Sequence, residues 1–200
     1  MSNPALGALE FILGTVLDLY AMIVALRFIM QTVRADYYNP LAQFVVTATD
    51  PLVKPMRRIV PAIGRYDTSS LLLCYGVLLL KLLIFRLLAL GPVPAIGSAL
   101  DASALPAIYL LIVPAIDLVY LLFNIFIFAI VIQAILSWLP NAGNSPIHSL
   151  LHSITAPVLD PIRRFVPPMG GLDLSALVGI IGLYALRIFV VGTLTSLLFS

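Results

Sequence analysis

The sequence predicts an all-α membrane protein: about four transmembrane helices plus two interfacial amphipathic segments, arranged as a tandem parallel repeat. Three observations carry this. The chain of 200 residues is 62% hydrophobic and only 10% charged, against roughly 45–50% apolar and about 25% charged in a soluble domain. Four apolar runs reach the ~20 residues that a helix needs to cross a bilayer. A proline- and arginine-rich string occurs twice, 106 residues apart.

The first apolar run covers roughly 6–33. No basic stretch precedes it, so it reads as a retained span and not as a signal peptide. Between Asn39 and Pro61, Leu41, Phe44, Val45, Ala48, Leu52, Met56, Ile59 and Val60 recur at helical spacing, with Gln43, Thr47, Asp50, Lys54, Arg57 and Arg58 opposite. That pattern predicts a helix lying in the interface, apolar side toward acyl chains and basic side toward headgroups. Asn39 is placed to cap it and Pro40 to start it. Pro51 and Pro55 are expected to break the segment into two short helices. A re-entrant loop is the alternative, viable only where protein buries the freed backbone groups.

The second span is expected over roughly 68–90, and the Gly/Pro/Ala/Ser-rich stretch 91–105 as a loop. The third span falls within 105–139, with Pro114 separating a short outer segment from it. The fourth covers roughly 174–199. Cys74, the single cysteine, lies inside an apolar run, so no intrachain disulfide forms.

A shift of 106 residues superimposes the halves without a gap. Pro51 meets Pro157, Pro55 meets Pro161, Arg57-Arg58 meets Arg163-Arg164, and Pro61 meets Pro167. Gly64 meets Gly170, and Asp67 meets Asp173. Thr49 and Thr155 also coincide, as do Lys81 and Arg187, Asp18 and Asn124, and Arg27 and Gln133. The units are therefore 1–92, a linker and outer loop at 93–111, and 112–200. Basic residues fix the orientation. Arg34, Lys54, Arg57, Arg58 and Arg65 follow the first span, Arg163 and Arg164 follow the third, and neither the 91–105 loop nor the ends carry any. Both basic segments should face the cytoplasm and both termini the periplasm, giving parallel repeats about an axis along the membrane normal.

At these residues the chain resembles the YggT family of small bacterial inner-membrane proteins, with relatives in cyanobacteria and plastids. The string reads Pro51-x-x-x-Pro55-x-Arg57-Arg58-x-x-Pro61-x-x-Gly64-x-x-Asp67-x-Ser69, and again from Pro157 to Ser175. Many relatives place proline after the serine, where Ser70 and Ala176 stand, so the helix start is expected to differ slightly there. The resemblance implies links to osmotic tolerance and potassium uptake, to cell-division gene neighbourhoods, and to cytochrome cofactor assembly in plastids. It carries over no catalytic residue.

The repeated string has a structural reading and a sharper one. Structurally, the arginines meet lipid phosphates at about 1 kcal/mol each near an anionic surface. The glycines permit turns, and Asp67 and Asp173 cap the spans that follow. In the sharper reading Arg57, Arg58, Arg163 and Arg164 form one cytoplasmic surface that docks an anion or a protein. Within the membrane, Lys81 and Arg86 oppose insertion of their span by about 2.5–3.5 kcal/mol each if central, so Lys81 needs a partner. Counting from the cytoplasmic ends, Lys81, Arg187 and Asn124 lie about 21 Å deep and Asp18 about 24 Å. One polar cluster of these four is expected, with Asp18 pairing either base, and a second of Glu10, Arg86 and Asp117 nearer the outer face. A polar pin holding the bundle is favoured over an ion pathway.

His148 and His152 have the spacing of two metal ligands but no third ligand, so a solvated pair is expected. Ser175, Gly179 and Gly182 form a small-residue stripe suited to helix packing. No nucleophile with a suitably spaced base, phosphate loop, zinc motif or haem-attachment pair is present, so neither enzyme activity nor a cofactor is expected. The net charge is only +2, and the expected partners are anionic lipids and a protein or a second copy, not nucleic acid. The leading expectation is a non-enzymatic membrane scaffold or assembly factor. The alternative is an ion-uptake or osmotic-stress component.

Overall fold

A computed structural model describes residues 4–60, 64, 66–88, 90, 93–95, 98–100, 105–138, 145–166 and 173–199. Pro61, Arg65, Pro167 and Gly170 lie outside the described residues. Among the described residues six helices appear in order: α1 (Pro4–Thr32), α2 (Pro40–Ile59), α3 (Thr68–Leu87), α4 (Tyr109–Leu136), α5 (Pro146–Phe165) and α6 (Leu174–Phe199). Four of them, α1, α3, α4 and α6, are long and apolar enough to cross a membrane. The 106-residue shift survives folding. It carries the limits of α2 onto those of α5, and the start of α3 onto the start of α6.

Each half is the same unit: α1 packs on α3 with α2 across their joined ends, and α4 packs on α6 with α5 likewise. Contacts of α3 and α1 with α4 join the halves. The main apolar core lies along this seam, with Ala21, Val24 and Ala25 of α1 against Val77 and Leu78 of α3 and Ile125 and Ala129 of α4. The Asn39 side chain donates to the Pro146 carbonyl at 2.5 Å, so α2 and α5 lie side by side at one end of the bundle.

Three elements differ from expectation. First, α2 and α5 run unbroken through Pro51 and Pro55, and through Pro157 and Pro161. Each proline costs one bond, to the carbonyl four residues earlier. The two prolines of a helix sit one turn apart on its exposed side, so the freed carbonyls face outward, where water or headgroups can satisfy them. Second, α4 continues through Pro114 as one helix. The proline lies in its second turn, removes a single bond, and is itself buried. Third, the loop contains a short antiparallel hairpin, β1 (Val93–Ala95) paired with β2 (Ser98–Leu100). Both α3 and α6 begin one residue after their aspartate, whatever stands at 70 and 176.

The small-residue stripe on α6 is uneven. A Cβ at Gly179 would meet Leu159 Cδ2 at 2.9 Å, whereas one at Gly182 would meet nothing within 4 Å. Leu159 is buried, so it has little room to yield. Gly179→Val should therefore cost about 1–3 kcal/mol by overpacking, seen as a lower Tm in detergent. Gly182→Val should leave Tm nearly unchanged.

Candidate functional site: two arginine–aspartate clamps and an intramembrane ion pair

The buried stripe of α2 consists of Ala42, Val45, Thr49 and Val53. It faces the bundle, while Leu41, Phe44, Leu52 and Ile59 stay exposed. Thr49 is fully buried and lies against Arg27 of α1, itself 4% exposed. The Arg27 guanidinium donates to the Thr49 hydroxyl at 2.7 Å, to Asp50 at 2.8 Å and to the Val46 carbonyl at 3.2 Å. Hydrogen bonding from Lys54, 2.7 Å away, and from Arg27 outweighs burial and holds the Asp50 carboxyl below its usual range. Asp50 therefore belongs to an ion network and not to a solvated face.

The repeated arginine pair divides its labour. Arg57 donates to Asp67 at 2.5 Å and to Gln31 at 3.0 Å. Asp67, completely buried, also caps α3 by accepting from the Ser70 amide and hydroxyl. Burial pushes this carboxyl up, but hydrogen bonds from Arg57 and Ser70 prevail and keep it below the ordinary value. Gly64 turns the chain with φ +62°, a conformation that side chains disfavour. The same clamp recurs in the second half: Arg163 donates to Asp173 at 2.9 Å, and Ser175 donates through both its amide and its hydroxyl. Arg58 and Arg164, by contrast, are exposed and have no ion partner among the described residues. The four arginines thus form two clamps and two outward charges.

The polar groups inside the membrane form two sets, one around Lys81 and one around Arg187. Lys81 of α3, 2% exposed, reaches Asp18 of α1 at 2.6 Å and Asp117 of α4 at 3.4 Å. Arg187 of α6 donates instead to Asn124 of α4, and its guanidinium lies over the rings of Tyr120 (4.9 Å) and Tyr184 (4.3 Å). Lys81 is met by carboxylates, Asp18 from its own repeat and Asp117 from the other, whereas Arg187 is met by an amide and two π faces. Of the expected outer trio, Asp117 reaches Lys81 and Arg86 donates to the Leu105 carbonyl at 2.7 Å. The His148 and His152 rings lie parallel, 6.4 Å apart.

Thr49 and Thr155 were the residues hardest to single out. Thr155 is also fully buried and donates to Gln133, the counterpart of Arg27. The clue lay in the repeat itself: both members of the pair keep their register.

A bundle of four apolar spans, built from two like halves that each carry a clamped basic helix, defines a tandem-repeat multi-pass membrane protein. The chain belongs to the CCB3/YggT family, whose model matches residues 6–88 and again 112–194. It is 36% identical to the Escherichia coli K12 protein named "Uncharacterized protein YggT" over 192 residues, 96% of this chain and 93% of that one. A Vibrio alginolyticus protein described only by its place in the proC 3′ region is 39% identical over 178 residues, 89% of this chain and 90% of its own length. A shorter likeness, 36% over 62 residues, covers 31% of this chain and 24% of the chloroplastic YlmG homolog protein 2 of Arabidopsis thaliana. No solved structure matches.

The clamp makes a contrast between neighbours. Arg57→Gln leaves Asp67 buried with one donor fewer, at about 1–3 kcal/mol, and should lower Tm by several degrees. Arg58→Gln should leave Tm nearly unchanged. Because Asp67 is held below the ordinary carboxylate value of 3.8, its contribution is complete above that pH and is lost as pH falls through its lowered value. Asp67→Asn should therefore flatten the acid limb of stability against pH.

Proposed function

We propose that the protein is a non-enzymatic scaffold or assembly factor of the bacterial inner membrane, holding an apolar segment of a partner between its two repeats. The observation that carries this is a cavity of about 640 Å³ bounded by α1, α2, α4 and α5. Its walls pair residues across the duplication: Met22 with Phe128, Leu26 with Ile132, Leu41 with Ile147. Both repeats thus contribute matching walls, and nearly every wall is apolar. Such lining suits a hydrophobic occupant. By the excess of basic residues, α2 and α5 lie on the cytoplasmic face and both termini on the periplasmic one. Arg58 and Arg164 then meet anionic headgroups, with the exposed Ile59 and Phe165 beside them entering the acyl boundary.

A photo-crosslinking residue at Phe44 or Phe128, activated in native membranes, should give a discrete protein adduct. The same probe at Phe189, exposed on α6, should not. Identical patterns from all three positions would remove the basis for the scaffold.

One observation favours ion uptake as a second reading: the Asp18 side chain is 41% exposed midway along a span, although it is paired with Lys81. Asp18→Asn separates the two readings. A structural pin gives a less stable protein with unchanged ion flux across proteoliposomes. A pathway gives normal stability with altered flux.

A further inference from the structure

The end of α1 and the outer side of α5, one from each repeat, bound an open cleft of about 690 Å³. Thr32, Val33 and Arg34 form one wall, at the point where the apolar span of α1 stops. The stretch of α5 from His152 to Arg164 forms the other. The size lies within the ~300–1,000 Å³ usual for ligand pockets. Arg34 and Arg164 both line the cleft and both are exposed. Neither side chain has an ion or hydrogen-bond partner among the described residues.

Arg34 holds a backbone conformation that side chains disfavour. It closes α1 as a left-handed residue, with φ +55°. Two bonds define this cap, from the Ala35 N–H to the Met30 carbonyl at 2.9 Å and from the Arg34 N–H to the Gln31 carbonyl at 3.2 Å. Glycine ordinarily takes this position, and an arginine there is the kind of strain that gathers at functional sites. The facing wall supplies the opposite polarity. Pro157 and Pro161 leave the Ser153 and Pro157 carbonyls without their helical donors, and Ser153 and Pro157 both line the cleft. Asp160 lines it too, drawn toward Arg163 at 3.5 Å. The cleft thus sets two unpaired cations beside two backbone acceptors. The other repeat does not reproduce the set: at the positions matching Arg34, Ser153 and Asp160 stand Pro140, Thr47 and Lys54.

We propose that this cleft holds the headgroup of a zwitterionic phospholipid of the phosphoethanolamine class. The phosphate lies between Arg34 and Arg164, where charge-assisted hydrogen bonds favour it. The ammonium group, with three N–H donors, meets the freed Ser153 and Pro157 carbonyls. An anionic headgroup without an ammonium would satisfy the arginines and leave those carbonyls bare. A choline headgroup has no N–H to give them. Phe165, next to Arg164 and 86% exposed, is placed to meet the acyl chains. A lipid suits the cleft better than a soluble phosphoester, because the cleft lies where a span ends, at headgroup depth. The proposal rests on the interfacial placement of α5 given above, and not on the apolar cavity between the repeats.

The test takes the full chain, delipidated in detergent, titrates it with dioleoyl lipids, and counts bound lipid by native mass spectrometry. Phosphatidylethanolamine should bind roughly tenfold more tightly than phosphatidylglycerol or phosphatidylcholine, as one charge-assisted hydrogen bond would give. Arg34→Gly should weaken that binding by a similar factor without lowering Tm, because glycine suits the left-handed cap. Arg164→Gln should weaken it as well, while Arg58→Gln, at the matching position of α2, should not. Water-soluble glycerophosphoethanolamine should compete poorly. Equal binding of all the lipids, a preference for phosphatidylglycerol, or full binding by Arg34→Gly would overturn the site. Strong competition by the soluble ester would overturn the lipid as its source. No residue of the apolar cavity is altered, so failure here is separate from failure of the scaffold.

Discussion

A carboxylate that serves two helices at once, fully buried in the first half and 25% exposed in the second, holds each half of this protein together. Asp67 ends the approach to α3 by capping it, and the same side chain receives Arg57 from the far end of α2. Asp173 does this for α5 and α6. A helix lying across a bundle has no covalent reason to stay there beyond its two connections. The clamp supplies one near the end of α2, and the Ser69 hydroxyl, bonded to the Val60 carbonyl at 2.5 Å, supplies another. Asp67 is wholly enclosed while Arg57 stays 40% exposed, so losing the arginine leaves a buried carboxylate short of a partner, which is costly. The arginines next door, Arg58 and Arg164, are thereby left facing outward.

Both repeats keep this clamp, but they satisfy their other buried polar groups differently. The buried bases of the first repeat are met by acids: Arg27 by Asp50, and Lys81 by Asp18 and by Asp117 of the other repeat. The second repeat uses amides, hydroxyls and aromatic faces instead: Gln133 with Thr155, and Arg187 with Asn124, Tyr120 and Tyr184. Both solutions obey one constraint, that a cation inside an apolar bundle must be satisfied locally. They satisfy it within a repeat, except where Asp117 reaches across to Lys81. That contact ties the halves together electrostatically, beside the apolar seam formed by α1, α3 and α4.

Much of the fold was legible because the repeat acts as an internal comparison. Asn39 and Pro40 marked where α2 begins, the 106-residue register carried that start onto α5, and apolar length marked the spans. Helix rotation was not legible. Depth along the helices brought Asp18, Lys81, Asn124 and Arg187 to one level, but depth does not say which side each faces, and the structure sorts them into two sets. Arg57 and Arg58 share a polar face by periodicity. They lie about 100° apart on the helix, and only the first turns to Asp67. The prolines misled because their cost depends on where the freed carbonyls point, which is a tertiary fact. The three-residue strands at 93–95 and 98–100 are too short to leave an alternating pattern.

The most direct measurement is a double-mutant cycle on Arg57 and Asp67, using Arg57→Gln, Asp67→Asn and the pair, read as thermal unfolding of the purified full chain. If one carboxylate joins the two helices, the losses are strongly non-additive, with a coupling of about 1–3 kcal/mol. The same cycle run with Arg58 in place of Arg57 then gives a coupling near zero. Additive losses at Arg57 and Asp67 would show that α2 is held by packing alone, and the clamp would have no energetic role.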